Sequence, residues 1–325
     1  MEKITEIRKP VEKEYKAFQL RFANALNTEQ PVLKDICQHI LDHHGKQVRP
    51  LLTLLSAKLC GTPNDKTYDI AAVLELLHTA SLLHDDVVDE TLQRRGEKSV
   101  NSEWGNKLAI LGGDYILSMA MRMLVLTRNV RLQQTVCELV QQLSIGEVME
   151  LHHDTSMWID EDQYYEIIKR KTASLFAACT ETGAISVGAT GYQTTHLRRF
   201  GEQLGLCFQI QDDILDYSDS EQLGKPTMND IRDHKVTLPL IIALRRATER
   251  ERKELIERIG NHDIDWELES DIKSLVLRYD GVGYCRQQLD KHRKEAQVAL
   301  TVFHPITRVH ESLLSLLHFT IARNY

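Results

Sequence analysis

The chain is 325 residues long, with a net charge of −7, 42% hydrophobic residues and 27% charged ones. This length and mix exclude wholesale disorder and suffice for a core without disulfide or metal staples. The negative sum argues against a nucleic acid partner but leaves room for a local basic site for a small anion.

From the N-terminus, MEKITEIRKPVEKEYKAF is charged and amphipathic and lacks the apolar run of a secretory signal. Gln30-Pro31 reads as a helix start, and GKQVRP (45–50) as another. Gly61-Thr62-Pro63-Asn64, Gly112-Gly113 and Gly224-Lys225-Pro226 read as inter-helix loops. Apolar residues recur at three and four over 70–84, 108–126, 132–151, 173–190, 200–217, 236–246 and 306–321, which predicts helices. The most apolar window, LAILGGDYILSMAMRMLVL (108–126), is interrupted by Asp114 and Arg122. It reads as a buried helix rather than a membrane span, so no stable membrane anchor is expected. Asp280-Gly281 in VLRYDGVGY (276–284) is a candidate hairpin turn. The cysteines (Cys37, Cys60, Cys137, Cys179, Cys207, Cys285) form no CxxC pair and lie mostly in apolar helical patterns, as expected of reduced, buried thiols in a cytoplasmic protein. No linker, low-complexity tract or short repeat divides the chain. The expectation is one all-α domain over 1–325, with roughly ten or more helices of ordinary length.

One long-range echo stands out. LLHDDVVDE (82–90) and QIQDDILDY (209–217) are both apolar helical runs ending in DDxxD. Helical geometry puts residues i and i+4 on one face, about 5–6 Å apart at Cβ, which pairs Asp85 with Asp89 and Asp212 with Asp216. Asp86 and Asp213 lie about 100° round from their neighbours. A lone DDxxD is ordinarily a solvated helix end. Here two occur, each against helix propensity and macrodipole and each after residues patterned for burial, so the carboxylates belong at a cavity mouth. Like charges so close are stable with cations between them.

Oxygen ligands with room for water suit Mg²⁺, which takes one or two carboxylates plus substrate phosphates. No EF-hand loop supports calcium, and no His/Cys cluster at the motifs supports zinc. His43-His44 and His152-His153-Asp154 are metal candidates on paper. Adjacent histidines diverge by about 100° on a helix, however, so both read as surface features. Two acidic clusters facing each other would hold several Mg²⁺ ions around one diphosphate and turn it into a leaving group. No P-loop, GxGxxG or serine elbow supports nucleotide hydrolysis, hydride transfer or acyl transfer.

The basic residues answer to similar ligands. Lys46 and Arg49 stand three apart at a helix start, where free backbone N–H groups also favour anions. Arg94-Arg95, Lys171, Lys225 and Lys235 add further cations. Singly, each is ordinarily a solvated surface charge. As a set beside two acidic motifs they imply two polyphosphate ligands, one metal-bound and one held by Lys and Arg.

The ordered set comprises GKxxRP (45–50), HTASLLHDDVVDETLQRRG (78–96), GNKLAILGGDYILSMA (105–120), KTASLF (171–176), FQIQDDILDY (208–217), LGKP (223–226) and the lysine of DHKVTLPL. On these motifs the chain resembles the trans-isoprenyl diphosphate synthases of the polyprenyl synthetase family, most of all those making medium and long all-trans products. The resemblance implies a single large helical bundle of the isoprenoid synthase type with a central active-site cavity, commonly a homodimer. It implies two or three Mg²⁺ ions, with Asp85 and Asp89 binding metal that bridges the allylic diphosphate and Asp86 in support. Asp212 would bind a further ion, with Asp213 and Asp216 nearby. Arg94, Lys171, Lys225 and Lys235 would contact the allylic diphosphate, and Lys46, Arg49, His78 and Arg95 the isopentenyl diphosphate. Thr172 and Gln209 would lie against the forming carbocation. Where the family often has GGKRxRP, this chain has HHGKQVRP, which keeps Lys46 and Arg49. Arg323 is what remains of the basic C-terminal tail of some relatives.

Product length should follow from the helix before Asp85. Ser81 and Ala80 stand about one turn back. Relatives with short products often place bulky aromatics there, so these small residues imply an open tunnel and a medium or long product, such as a quinone side-chain precursor. Leu77, Val73, Met119, Ala120 and Met123 would set its depth, although each methionine reads equally well as core packing. The alternative is a short-chain synthase making farnesyl or geranylgeranyl diphosphate. A class I terpene cyclase would need no GKxxRP pocket and no second DDxxD. A non-catalytic subunit of a heteromeric synthase would lack metal aspartates that this chain has.

Overall fold

The computed structural model describes residues 2–94, 96–154, 160–218, 228–233, 235–261 and 264–322. Among them the only β-structure is one two-residue strand pair; the rest is helix and connecting loop. Backbone contacts divide the chain into two compact units. The first gathers residues 1–140, 176–198 and 300–316, and the second residues 141–175, 199–299 and 317–325.

In the first unit the N-terminal helices are α1 (Glu2–Arg8), α2 (Glu12–Ala25), α3 (Pro31–Asp42), α4 (Val48–Cys60) and α5 (Asp65–Val88). The expected start at Gln30-Pro31 is realised: Pro31 opens α3 and the Gln30 side chain accepts the Leu33 N–H at 2.7 Å. Helix α5 organises this unit. Its stretch from Ile70 to Leu77 is buried on every side, the pattern of a helix enclosed by others rather than one with a single apolar stripe. Helices α2, α4 and α7 (Asn106–Leu126) pack around it. A capping box starts α5, with Asn64 Oδ1 accepting the Lys66 N–H at 3.0 Å and Thr67 Oγ1 accepting the Asn64 N–H at 3.1 Å.

The 108–126 window is helical as expected and runs through Gly112-Gly113, which form no inter-helix loop, but its burial is one-sided. Ala109, Gly112, Ile116, Ala120 and Leu124 are buried, whereas Leu111, Val125 and Leu126 are 60%, 64% and 65% exposed. Gly112 and Gly113 on the inner face stand against Leu83 and His84 and let α7 approach α5 closely, with Ile116 and Leu124 packed on the same side. By length and composition this helix could cross a membrane.

Between α5 and α6 (Val100–Trp104) lies a feature the helical periodicity did not predict. Strands β1 (Gln93–Arg94) and β2 (Glu97–Lys98) pair antiparallel in a minimal hairpin, with Gly96 at φ +85° in its turn. Conversely, the Asp280-Gly281 pair is no hairpin. It joins two helices, Trp266–Arg278 and Gly281–Leu300. A Cβ at Gly281 would stand 2.2 Å from the Pro239 carbonyl oxygen, so the glycine serves a close backbone approach.

The second unit takes in much of α8 (Val130–Asp154), α9 (Glu161–Ile168) and much of α11 (Gly191–Asp216). Between α9 and α10 (Ser174–Ser186) runs a five-residue π-helical stretch, Lys169–Ala173. Met228, Ile231, Leu240, Leu244, Leu255 and Ile272 form a core cluster of this unit. All six cysteines are free. Cys37, Cys179, Cys207 and Cys285 are buried, Cys60 is half-buried and Cys137 is exposed.

Candidate active site

In the first unit the acidic motif occupies the last turn of α5. Asp89 ends the helix, its N–H reaching the Asp85 carbonyl at 2.8 Å. Asp85 and Asp89 are partly buried, while Asp86 is only 3% exposed. The hairpin explains how that buried charge is tolerated. It folds the chain back so that Arg94 Nε lies 2.8 and 3.0 Å from the two carboxylate oxygens of Asp86, with a second guanidinium nitrogen also in contact. This fork neutralises Asp86 and fixes Arg94. Asn101 Nδ2 braces the turn, donating to the carbonyls of Asp86 at 3.0 Å and Thr91 at 3.1 Å.

His78, Asp86 and Arg94 line one pocket of about 70 Å³, together with His43, His44 and Lys98. Burial is heavy on the helix behind: Ala80 and Leu77 are each 3% exposed, and the partly buried Ser81 turns its hydroxyl to the His78 carbonyl at 2.9 Å. The GKQVRP stretch has an unusual backbone. Gln47 precedes α4 in the left-handed region, at φ 48°, and is 5% exposed. Tyr15 donates to Gln47 Oε1 at 2.7 Å and so helps hold this conformation, which costs a non-glycine residue energy. Arg49 enters the first turn of α4 with its guanidinium 5.4 Å from the Phe176 ring centre, and Lys46 is exposed.

In the second unit the π-helical stretch carries Lys171 and Thr172. The Lys171 ammonium is 2.8 Å from Glu147 and closer still to Glu150, both on α8. Lys235 lies 3.9 Å from the same Glu150 oxygen. Burial works against the charge on Lys171, but Glu150 and Glu147 more than offset it and its pKa is raised. Thr172 donates to Gln209 Oε1 at 2.9 Å, Gln209 Nε2 donates to Asp213 at 3.0 Å, and Tyr164 donates to the other Asp213 oxygen at 2.6 Å. Asp213 is 1% exposed. Burial pushes it up to about 7 despite those two donors.

Asp212 is partly buried on the same turn. Asp216 accepts the backbone N–H groups of Asn229 at 3.0 Å and Asp230 at 3.2 Å, so it anchors the short helix Asn229–Arg232. Burial raises Asp216 as well. Asp230 is raised strongly by burial and by Asp213 and Asp216, with Lys235 opposing.

Of the residues expected from sequence, the structure joins Asp86 to Arg94, Thr172 to Gln209 and Asp213, and Lys171 to Lys235 through Glu150. Arg95, Lys225 and Arg323 lie outside the described residues, as do the side chains of His153 and Asp154. Sequence reasoning missed Glu147, Glu150, Tyr164, Asp230 and the Tyr15–Gln47 pair. The spacing of Glu147 and Glu150, three apart on a helix, was a readable sign of a shared face. Nothing in the sequence tied Tyr164 to Asp213. Among the described residues no three His, Cys, Asp or Glu side chains form a group fit to hold a metal on their own.

Tyr164→Phe would leave Asp213 short of a donor where water cannot replace it. Stability should fall by about 1–3 kcal/mol in denaturant titration. Because the bond favours the ionised carboxyl, the loss should be larger above a pH of about 7 than below it. Equal stabilities throughout would contradict the assignment.

The Polyprenyl synthetase family profile matches residues 30–276. The all-trans-nonaprenyl-diphosphate synthase (geranyl-diphosphate specific) of Rhodobacter capsulatus is 34% identical over 97% of this chain and 96% of its own length. The octaprenyl diphosphate synthase of Escherichia coli K12 is 33% identical over 92% of both chains. Among solved structures, a polyprenyl synthase from Caulobacter crescentus CB15, complexed with calcium and isoprenyl diphosphate, superposes with a TM-score of 0.92 at 31% identity. That match covers 99% of this chain and 98% of the other. Motifs, helical fold and full-length relatives converge: the chain belongs to the polyprenyl synthetase family.

Proposed function

We propose that the protein is a trans-prenyltransferase that extends an allylic diphosphate with isopentenyl diphosphate, head to tail, to a medium- or long-chain all-trans polyprenyl diphosphate. The observation that carries this reading is on α5. The partly buried Asp85 follows the small residues Ala80 and Ser81 by about one turn, and the partly buried Asp89 stands one turn further on. Carboxylates for a metal-bound diphosphate and small side chains on the path of its tail thus share one stretch of chain. The nonaprenyl and octaprenyl products named for the two full-length relatives support the long chain.

The carboxylate donors suit a divalent ion that takes one or two protein oxygens and completes its shell from substrate phosphate and water. Two or three Mg²⁺ ions, held by Asp85, Asp89 and Asp212, would supply charge neutralisation that makes diphosphate a good leaving group. Asp86 acts by holding Arg94, and Asp213 and Asp216 act behind Asp212. Arg94, Lys171, Lys225 and Lys235 bind the allylic diphosphate. Lys46, Arg49, His78 and Arg95 bind the isopentenyl diphosphate.

The allylic C–O bond breaks and its electron pair leaves with the diphosphate. The π pair of isopentenyl diphosphate then forms the new C–C bond. A proton passes to the departing diphosphate and restores a double bond, so no protein nucleophile is needed. Thr172 donates its hydroxyl proton to Gln209, which leaves the Thr172 lone pairs to face positive charge. Ala80, Ser81 and Leu77 guide the tail. The free cysteines favour a cytoplasmic location.

The exposed apolar face of α7, with Leu111 and Val125, is the surface we assign to a homodimer. Sedimentation should give twice the chain mass, and Leu111→Asp should shift it towards the monomer; a monomeric native protein would refute the assignment. For the activity, purified protein should incorporate labelled isopentenyl diphosphate onto an allylic primer, and chelation of Mg²⁺ should stop it. Ala80→Phe should shorten the product. No elongation with any primer would overturn the enzyme reading, and farnesyl or geranylgeranyl diphosphate as the final native product would overturn the chain length.

A further inference from the structure

The two lysines assigned above to the allylic diphosphate are held by carboxylates that the reaction itself does not require. Lys171, Lys235, Glu147 and Glu150 form a cluster of two positive and two negative side chains, each between 21% and 24% exposed. Its geometry is built rather than incidental. Helix α8 lies so close to the π-helical stretch that a Cβ at Gly146 would stand 2.7 Å from the Lys171 backbone nitrogen. That contact delivers the next residue, Glu147, and then Glu150 to the Lys171 ammonium. On its other side the stretch is pinned by the Thr172–Gln209 hydrogen bond. A π turn in this position is a common mark of a functional segment.

We infer that Glu150, with Glu147, is a positioning residue: it holds Lys171 and Lys235 in place between turnovers and competes with the substrate diphosphate for them. The inference rests on the reading that these lysines contact the allylic diphosphate. Without the carboxylates, two ammoniums would repel each other in a partly desolvated site. With them, the cluster has no net charge and the lysines are already oriented. An incoming diphosphate must displace Glu150 from its charge-assisted contacts. The competition weakens binding of substrate and released diphosphate alike, and so favours turnover over retention.

Glu150→Gln keeps the shape of the contact and removes one negative charge. Calorimetry with inorganic diphosphate and Mg²⁺ should then show about three- to tenfold tighter binding than in the native protein, allowing for partial solvent screening. KM for the allylic primer should fall, and kcat should fall with it. Glu150→Asp, which restores the charge, should return the dissociation constant towards the native value, a rescue that a purely structural role would not give. Glu147→Gln, measured in the same way, keeps the test decisive if the first variant fails to fold. Native protein that neither binds diphosphate nor elongates would remove the functional reading and this inference with it. Native protein that elongates normally while the Gln variants bind diphosphate no more tightly would overturn the inference alone.

Discussion

A carboxylate set against an apolar helix must be met by positive charge or hydrogen-bond donors, and the two acidic helix ends of this protein are arranged around that requirement. At the end of α5 the answer is a guanidinium: Asp86 is buried and takes the Arg94 fork. At the end of α11 the answer is neutral donors: Asp213 is buried with Tyr164 and Gln209, and Asp216 takes two backbone amides. Each motif thus commits part of its carboxylate set to the scaffold. The middle aspartate in each case is the most buried and builds the frame. Asp85, Asp89, Asp212 and Asp216 are partly buried, and of these Asp216 already accepts two backbone amides.

The cationic side follows the same logic. Arg94 is oriented by Asp86, and Lys171 and Lys235 are tied to Glu150. On the proposed reading, a polyphosphate would meet side chains whose conformational entropy is already partly lost, which lowers the cost of ordering them and offsets part of the competition from Glu150. The π-helical stretch and the left-handed Gln47 are departures from regular backbone within the motifs, the places where strain tends to be retained for function.

Much of this was legible in the sequence. The 3.6-residue period marked the main helices, because an enclosed helix such as α5 must be apolar over many turns. The repeated DDxxD and its order among the basic motifs marked the family. What was not legible depends on contacts between distant residues. The bond between Tyr164 and Asp213 has no local signature, and the pairing of Asp86 with Arg94 needs a hairpin of two-residue strands that no periodicity reveals. The Asp-Gly pair at 280–281 misled because a glycine required for a close helix contact looks the same as one required by a hairpin. Helix α7 misled because apolar composition alone does not separate a buried face from an exposed one.

The central claim is that Asp85 and Asp89 bind metal together with a diphosphate, not alone. It is tested most directly by electron paramagnetic resonance of Mn²⁺ bound to the protein, with and without an unreactive allylic thiolodiphosphate. The account predicts weak Mn²⁺ binding alone, tight binding once the analogue is added, and loss of the tight component in Asp85→Asn. Tight Mn²⁺ binding without the analogue, or an Asp85→Asn signal identical to the native one, would contradict it.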